Sequence, residues 1–191
     1  EEGGEISRFY DPMIAKLVAW APTRAGAVDA LAAALDGFEV EGIGHNLPFL
    51  SAVMAHPRFR AGDLSTAFIA EEWPEGFAGV DLPEAELMRV AAAAAAMWRV
   101  AEIRRARVSG RMDNHERRVG AEWVVDLGGR AFPVTLGADP AGTDVAFADG
   151  AALRVEGPWA PGRTLARLLV DGRPLVLKVE PATQGFRLRT G

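Results

Sequence analysis

The side chains that could take part in catalysis are few and lie far apart in this chain of 191 residues. It has two lysines, Lys16 and Lys178, three histidines and no cysteine. Lys16 lies in an apolar run close to Asp11, so a buried ion pair or a role in an active site is conceivable. Strand alternation favours a simpler interpretation, in which Lys16 points to solvent while its apolar neighbours pack. Lys178 is interpreted as an outward-facing charge on a strand.

The histidines and the glycine patterns do not complete a catalytic site. His45 precedes a predicted helix cap, His56 precedes a proline and His115 lies in a polar loop, and none has a second ligand at metal-binding spacing. The chain has neither a phosphate-binding G-x-x-x-x-G-K-[ST] loop nor a G-x-S-x-G nucleophile turn. The absence of cysteine also excludes thiolate chemistry. We therefore predict no catalytic, cofactor-binding or metal-binding residue in this chain.

The composition argues against nucleic acid and membrane as partners. The net charge is −5, whereas binding to nucleic-acid phosphates requires clustered positive charge. No apolar run approaches the roughly 20 residues that span a bilayer, and no signal peptide is recognisable. The lack of cysteine is compatible with a reducing cytoplasm, where we expect the protein to act. The local exception to the negative charge is a cluster of arginines: Arg99, Arg104, Arg105, Arg107, Arg111, Arg117 and Arg118.

The first 70 residues are predicted to alternate between strands and helices. Residues 13–20 and 38–43 have the pattern of short strands. Thr23 is a predicted N-cap of one helix, and Asn46 is the predicted N-cap of a second helix that ends before Pro57. Two short strands bury little apolar surface, so this part of the chain is expected to need further sheet from a larger protein.

A long helix is predicted from Glu84 to about residue 107, with Asp81 and Glu84 forming a capping box. Its middle, residues 90–98, has no polar side chain and includes six consecutive alanines. A helix that lies on a sheet normally has one polar face, whereas this one is apolar all round and too short to span a membrane. We therefore expect it to be enclosed on every side by protein.

Glycine-containing turns divide the remainder of the chain into hairpins. The pairs Gly128-Gly129, Asp149-Gly150 and Asp171-Gly172 each lie between two strand-like runs, and residues 185–190 begin a seventh run. Successive hairpins of this kind form an antiparallel meander. The predicted fold class is α+β, in which a long central helix is wrapped by an antiparallel up-and-down β-barrel that lacks at least one strand.

Three motifs resemble the C-terminal end of the biotin carboxylase component of biotin-dependent acyl-CoA carboxylases. They are "FYDPMIAKL", "VEGIGHNLPFL" and "FRAGDLSTAFI", in the order and at the spacing of that family over residues 7–70. "WPEGFAG" and the following helix and meander are similar to propionyl-CoA carboxylase α subunits in particular. The resemblance implies that residues 1–76 end an ATP-grasp biotin carboxylase domain. It further implies that residues 77–191 form the connecting BT domain, without its last strand and without the biotinyl domain.

The resemblance also implies cofactors and partners for the longer bacterial protein. Biotin, ATP and Mg or Mn would be bound outside this chain, and none by the chain itself. The partners would be a β carboxyltransferase subunit and other α subunits, in a hetero-oligomer that is a dodecamer by resemblance. The loop after the long helix would be a hook onto the β subunit, with the partner-binding residues Arg111, Met112, Asp113, Asn114, His115, Arg117 and Arg118.

Two alternatives remain open from the sequence. The chain could belong to another acyl-CoA carboxylase, acting on methylcrotonyl-CoA or acetyl-CoA, because acyl specificity resides in the β subunit of the family. A small-ligand-binding barrel of the lipocalin type is a less favoured alternative, because the apolar helix would fill the cavity that a ligand needs.

Overall fold

A computed structural model describes residues 3–6, 9, 11, 13–40, 42–107 and 117–190. The chain divides into two compact units, and the boundary lies between Gly79 and Val80. None of the helices in the described ranges combines the length and the apolar character needed to span a bilayer. Each unit has its own apolar core.

The regular secondary structure in the described residues of the first unit consists of four helices. Thr23 begins the first helix as predicted, because its hydroxyl oxygen accepts a hydrogen bond from the Gly26 amide at 3.1 Å. Pro57 ends the second helix at His56. Val28, Leu35, Met54 and other apolar side chains of these helices form the core of the unit. The helices are α1 Arg24–Asp36, α2 Leu47–Ala55, α3 Pro57–Ala61 and α4 Phe68–Glu72.

The two strands predicted in the first unit are wrong for the described residues. Residues 13–20 and 38–40 pair with no other segment in the described part of the unit. Val18 and Trp20, on one side of the first segment, are 83% and 84% exposed, whereas Leu17 packs against the helices. A strand requires a neighbour for its backbone groups, and no described residue of this unit supplies one.

The second unit contains one long helix and one sheet. The helix is α5 Glu84–Ala106, and the strands are β1 Glu122–Leu127, β2 Arg130–Ala138, β3 Thr143–Phe147, β4 Ala152–Glu156, β5 Leu165–Val170, β6 Arg173–Ala182 and β7 Gly185–Arg189. The sheet is curled, antiparallel and ordered β1 to β7 as in the chain. The predicted mixture of helix and antiparallel meander is therefore confirmed.

Local turn chemistry explains why the hairpins form where they were predicted. Asp171 and Gly172 have φ angles of 49° and 71°, and Gly128 and Gly129 have 63° and 92°. Positive φ at both central residues defines the type I′ turn, whose twist matches that of paired strands. Asp171 tolerates this conformation while its carboxylate accepts a hydrogen bond from the Arg154 amide at 2.7 Å.

The alanine-rich part of α5 is largely buried, but the prediction that it is enclosed on every side is wrong for the described chain, because one stripe of its surface stays open. Ala91, Ala92 and Ala93 are completely inaccessible, and they pack with the inward-facing side chains of β2 to β6. The predicted capping box does not form, because Pro83 precedes the first helical residue and no side chain caps it. The helix occupies the apolar face of the sheet, and this packing disfavours the alternative of a ligand-binding barrel.

The exposed stripe of α5 faces a gap between the two edge strands. Leu87, Ala94 and Trp98 lie on one side of the helix and are only partly buried. They line a groove of about 770 Å³ together with residues of β1 and β7. The apolar side chains of these two strands are themselves only partly buried, unlike those of the central strands. In the described chain the curled sheet therefore leaves one side of the helix open.

Candidate docking site at the end of the long helix

The last turns of α5 carry a buried carboxylate between two arginines. Glu102 is 5% exposed. Its Oε1 accepts a hydrogen bond from Nη1 of Arg105, one turn later, at 2.7 Å. Its Oε2 forms an ion pair with the guanidinium of Arg117, which lies beyond the segment that follows the helix. Burying a carboxylate is costly unless it is paired, and the two guanidinium groups provide the pairing.

Hydrogen bonds to two backbone carbonyls hold the chain where it approaches β1. The indole Nε1 of Trp123 donates to the carbonyl of Gly120 at 2.9 Å. The Leu136 amide donates to the carbonyl of Ala121 at 2.8 Å, which extends the pairing of β1 with β2. Together with the ion pair of Arg117, these bonds fix residues 117–121 against the helix and the sheet.

Aromatic contacts fix the same end of the helix against the sheet. The Arg105 guanidinium lies over the ring of Trp98, 4.8 Å from its centroid. Trp98 meets Phe186 of β7 edge-on, with a centroid distance of 5.4 Å that lies within the roughly 4.5–7 Å typical of such pairs. Phe186 makes a second edge-on contact with Trp159, also at 5.4 Å. Arg105 is thus held by both Glu102 and an aromatic ring.

The structure describes two of the seven predicted partner-binding residues. Arg111, Met112, Asp113, Asn114 and His115 lie outside the described residues. Arg117 is half exposed and paired with Glu102. Arg118 is exposed, and no ion pair joins it to any other described residue. Arg117 is therefore engaged within the chain, whereas the Arg118 side chain is available for a partner.

Sequence reasoning did not find Glu102. A signal was present, because a carboxylate in the last turns of a helix opposes the macrodipole, which favours cations at that end. Glu102 lies three residues before Arg105 and within a segment where seven arginines outnumber three carboxylates. A negative charge placed against the helix dipole indicates a specific cationic neighbour, but the sequence does not show which arginine it is.

The remaining candidate side chains include an exposed lysine and a histidine that lies beside a carboxylate. Lys16 is exposed, as the preferred interpretation held, but of its apolar neighbours only Leu17 packs against the core, whereas Ile14 and Val18 are exposed. His56 Nε2 lies 3.0 Å from a carboxylate oxygen of Glu72. Arg58 donates a hydrogen bond to Glu72 and thereby holds the pKa of that carboxyl below its ordinary value. No group of three or more His, Asp or Glu side chains within the described ranges could hold a metal ion.

Arg154 is the centre of the largest ion-pair cluster in the sheet. Its guanidinium contacts Asp139 at 2.8 Å, Asp144 at 2.8 Å and Glu156 at 3.2 Å. The hydrogen bond from Arg154, and then those from the Ala141 and Gly142 amides, lower the pKa of Asp139. Because these carboxylates share one guanidinium across β3, β4 and a turn, the cluster is suited to holding strands together rather than to proton transfer.

Two protein families match adjoining parts of the chain. Residues 90–191 match the propionyl-coenzyme A carboxylase BT domain, and residues 1–71 match the biotin carboxylase C-terminal domain. The first match covers more than half of the chain. The chain therefore belongs to the family of biotin-dependent carboxylases that carry a BT domain.

The similar curated proteins are much longer than this chain. It is 70% identical over 189 residues to the propionyl-CoA carboxylase alpha chain of Ruegeria pomeroyi, covering 99% of the chain and 28% of that protein. The mitochondrial propionyl-CoA carboxylase alpha chain of Mus musculus is 32% identical over 178 residues, or 90% of the chain and 24% of the relative. The biotin carboxylase of Halalkalibacterium halodurans is 48% identical over 68 residues, or 36% of the chain and 15% of the relative. The chain thus spans roughly a quarter of the alpha chains.

Proposed function

We propose that this chain is part of the α subunit of a propionyl-CoA carboxylase. The observation that carries the proposal is the 70% identity to a propionyl-CoA carboxylase alpha chain over 99% of the chain, together with the BT-domain match. The full enzyme would carboxylate biotin with ATP and bicarbonate, then transfer the carboxyl group to propionyl-CoA to give methylmalonyl-CoA. We place this ligase in the bacterial cytoplasm.

The cofactors belong to other parts of the full subunit under this proposal. The described residues contain no metal-binding set, and neither lysine lies in a biotin-acceptor motif. Biotin, ATP and Mg or Mn would be bound by other segments of the full subunit, as the family resemblance implies. This chain would contribute the end of the biotin carboxylase domain, residues 1–76, and the connecting domain, residues 77–191.

The connecting domain is proposed to be a barrel closed around α5. The groove beside Leu87, Ala94 and Trp98 runs between the two edge strands, and both edges have unused backbone hydrogen-bonding groups on that side. A further strand of the full-length protein would pair there and cover the exposed stripe of the helix. Closure would remove both sheet edges, which favour unwanted association when they are left open.

The segment that follows α5 is proposed to dock onto a β carboxyltransferase subunit, within an assembly that also contains other α subunits. Arginine and methionine are enriched in protein interfaces, and this segment contains both. Docking would keep the biotin arm at high local concentration near both active centres. The proposed contact residues are Arg111, Met112, Asp113, Asn114, His115, Arg117 and Arg118.

The docking proposal predicts the effect of interface substitutions. Arg118→Glu, or Met112→Asp, in the full α subunit should weaken binding to the β subunit by roughly tenfold or more, because each places a wrong charge or an unpaired carboxylate in the interface. Co-purification and the dissociation constant of the α–β complex measure this. ATP-dependent carboxylation of free biotin by the isolated α subunit should remain, because that reaction needs no β subunit.

The matched control for docking is Arg167→Glu, a charge reversal at an exposed arginine on β5. It should leave the α–β dissociation constant unchanged. Binding of the Arg118→Glu and Met112→Asp proteins with wild-type affinity would contradict the docking role. If the variants lost biotin carboxylation but still formed the complex, these residues would serve the biotin carboxylase reaction and not docking.

The proposed substrate predicts a ranking among acyl-CoA thioesters. The purified complex should use propionyl-CoA with the highest kcat/KM, because one methyl group more or less in an apolar pocket changes this ratio by roughly 10- to 200-fold. Acetyl-CoA and methylcrotonyl-CoA are the comparisons in a bicarbonate-fixation assay. A preference for either of them would replace the propionyl assignment by the other acyl-CoA carboxylase considered above.

A further inference from the structure

We propose that Glu102 and Arg117 are a positioning pair for the docking segment, so that Arg117 acts on the partner complex through Glu102 and not by touching the β subunit. The inference rests on the proposed docking function and refines the role of one residue in it. Arg117 would hold the base of the segment, and Arg118 would remain available for the partner.

The burial of Glu102 shows that its pairing is not an incidental surface contact. The Glu102 side chain is 6% exposed, whereas that of Arg117 is 50% exposed. An isolated buried carboxylate would be strongly unfavourable, and Glu102 also lies at the helix end where the dipole disfavours negative charge. Both costs are offset only if a guanidinium stays close to each oxygen. Arg117 is therefore held at the helix, because the buried Glu102 carboxylate needs its guanidinium as a partner.

The pair connects the end of α5 to the residues that lead into β1. Glu102 lies one turn before the end of α5, and Arg117 lies five residues before β1. Their ion pair joins the two ends of the connection between helix and sheet. The Gly120 carbonyl and the Ala121 carbonyl are held independently on the β1 side. The residues before and after the docking segment are thus held together, at the end of α5 and at the start of β1.

Arg105 explains why a neutral residue would not replace Glu102. It shares the Glu102 carboxylate with Arg117, and exposed arginines precede and follow it in the chain. With glutamine at position 102, the guanidinium groups of Arg105 and Arg117 would repel each other without an intervening negative charge. Arg105 would keep its place over the Trp98 ring, and Arg117 would be the group to move.

A double-mutant cycle on the α–β complex tests the positioning role. The full α subunit is compared as wild type, Glu102→Gln, Arg117→Gln and the double variant, and the dissociation constant for the β subunit is measured for each. Each single variant should bind about tenfold more weakly, and the double variant no more weakly than either single, because both substitutions break the same pair. Arg167→Gln, a matched change on β5, should bind as wild type.

Two results would overturn the positioning role. The first is a further loss when Arg117→Gln is added to Glu102→Gln, since this would show that Arg117 contacts the partner directly. The second is wild-type affinity of both single variants while Arg118→Glu and Met112→Asp still weaken binding. If the latter two variants also bind normally, the docking function itself is wrong.

Amide hydrogen exchange separates positioning from unfolding in the same proteins. The amides of residues 117–120 should exchange faster in Glu102→Gln than in wild type, whereas those of β3 and β5 should not change. Faster exchange throughout β3 and β5 would show a general loss of structure. In that case Glu102 would be a stability residue, and the positioning role would be rejected.

Discussion

Replacing Ala92 by aspartate should abolish the folded structure of the second unit. Ala92 is completely buried in the middle of α5, and side chains from the central strands surround it. A carboxylate at this position would lie among the apolar side chains of the core cluster, cut off from water. Burying an unpaired charge costs more than the roughly 5–15 kcal/mol by which domains are typically stable unless the group is neutralised. Calorimetry should therefore show no cooperative transition for this unit.

Ala94→Asp is the matched control, because it makes the same chemical change two residues away. Ala94 lies on the open stripe of α5 beside the groove between β1 and β7. In a protein limited to residues 1–191, the carboxylate would face the open groove and remain hydrated, so the cost should be close to the helix-propensity difference of about 0.7 kcal/mol. That corresponds to a decrease of a few degrees in Tm. Equal destabilisation by the two variants would contradict the assignment of buried and open sides to this helix.

Replacing Arg89 by methionine should destabilise the second unit by roughly 2–3 kcal/mol. Arg89 is 7% exposed, which is unusual for an arginine in a helix interior. Its Nη2 donates to the carbonyls of Arg173 at 3.1 Å and Pro174 at 2.9 Å, at the start of β6. Its Nη1 contacts Glu86 at 2.6 Å. Methionine would fill the space but would leave the two carbonyls without their donors.

The control for Arg89 is Arg104→Met, because Arg104 is exposed on the same helix and has no ion pair with another described residue. Urea unfolding followed by tryptophan fluorescence should give a lower midpoint for Arg89→Met and an unchanged midpoint for Arg104→Met. Arg89→Lys should lie between them, because an ammonium group cannot span both carbonyls and Glu86 as the guanidinium does. Similar midpoints for all three variants would show that the buried arginine is not needed to attach β6.

Features that depend on neighbouring residues were predictable. The turns at Gly128-Gly129 and Asp171-Gly172 were located correctly, because positive φ is a property of the turn residues themselves. The alternation of β2, β3 and β5 followed from the same local pattern. The family was also recognisable, because its motifs occur in short uninterrupted stretches.

Features that depend on distant partners were not predictable in the same way. Residues 13–20 have the composition of a strand, but a strand exists only where another segment offers its backbone groups, and none of the described residues does. One local prediction also failed, because Pro83 and not Asp81 occupies the N-cap of α5, so the capping box does not form and no side chain caps the helix.

The sequence alone determined the helix, the hairpins and the family, since each is encoded by residues close together in the chain. The tertiary structure decided which stripe of the helix is left open and which arginine Glu102 selects. The open stripe depends on the two edge strands of the sheet, and the ion pair depends on two charged residues, and in both cases the residues are far apart in sequence. Seven arginines lie between residues 99 and 118, so composition alone offers many pairings. Only folding brings Arg117, fifteen residues away, onto the buried carboxylate.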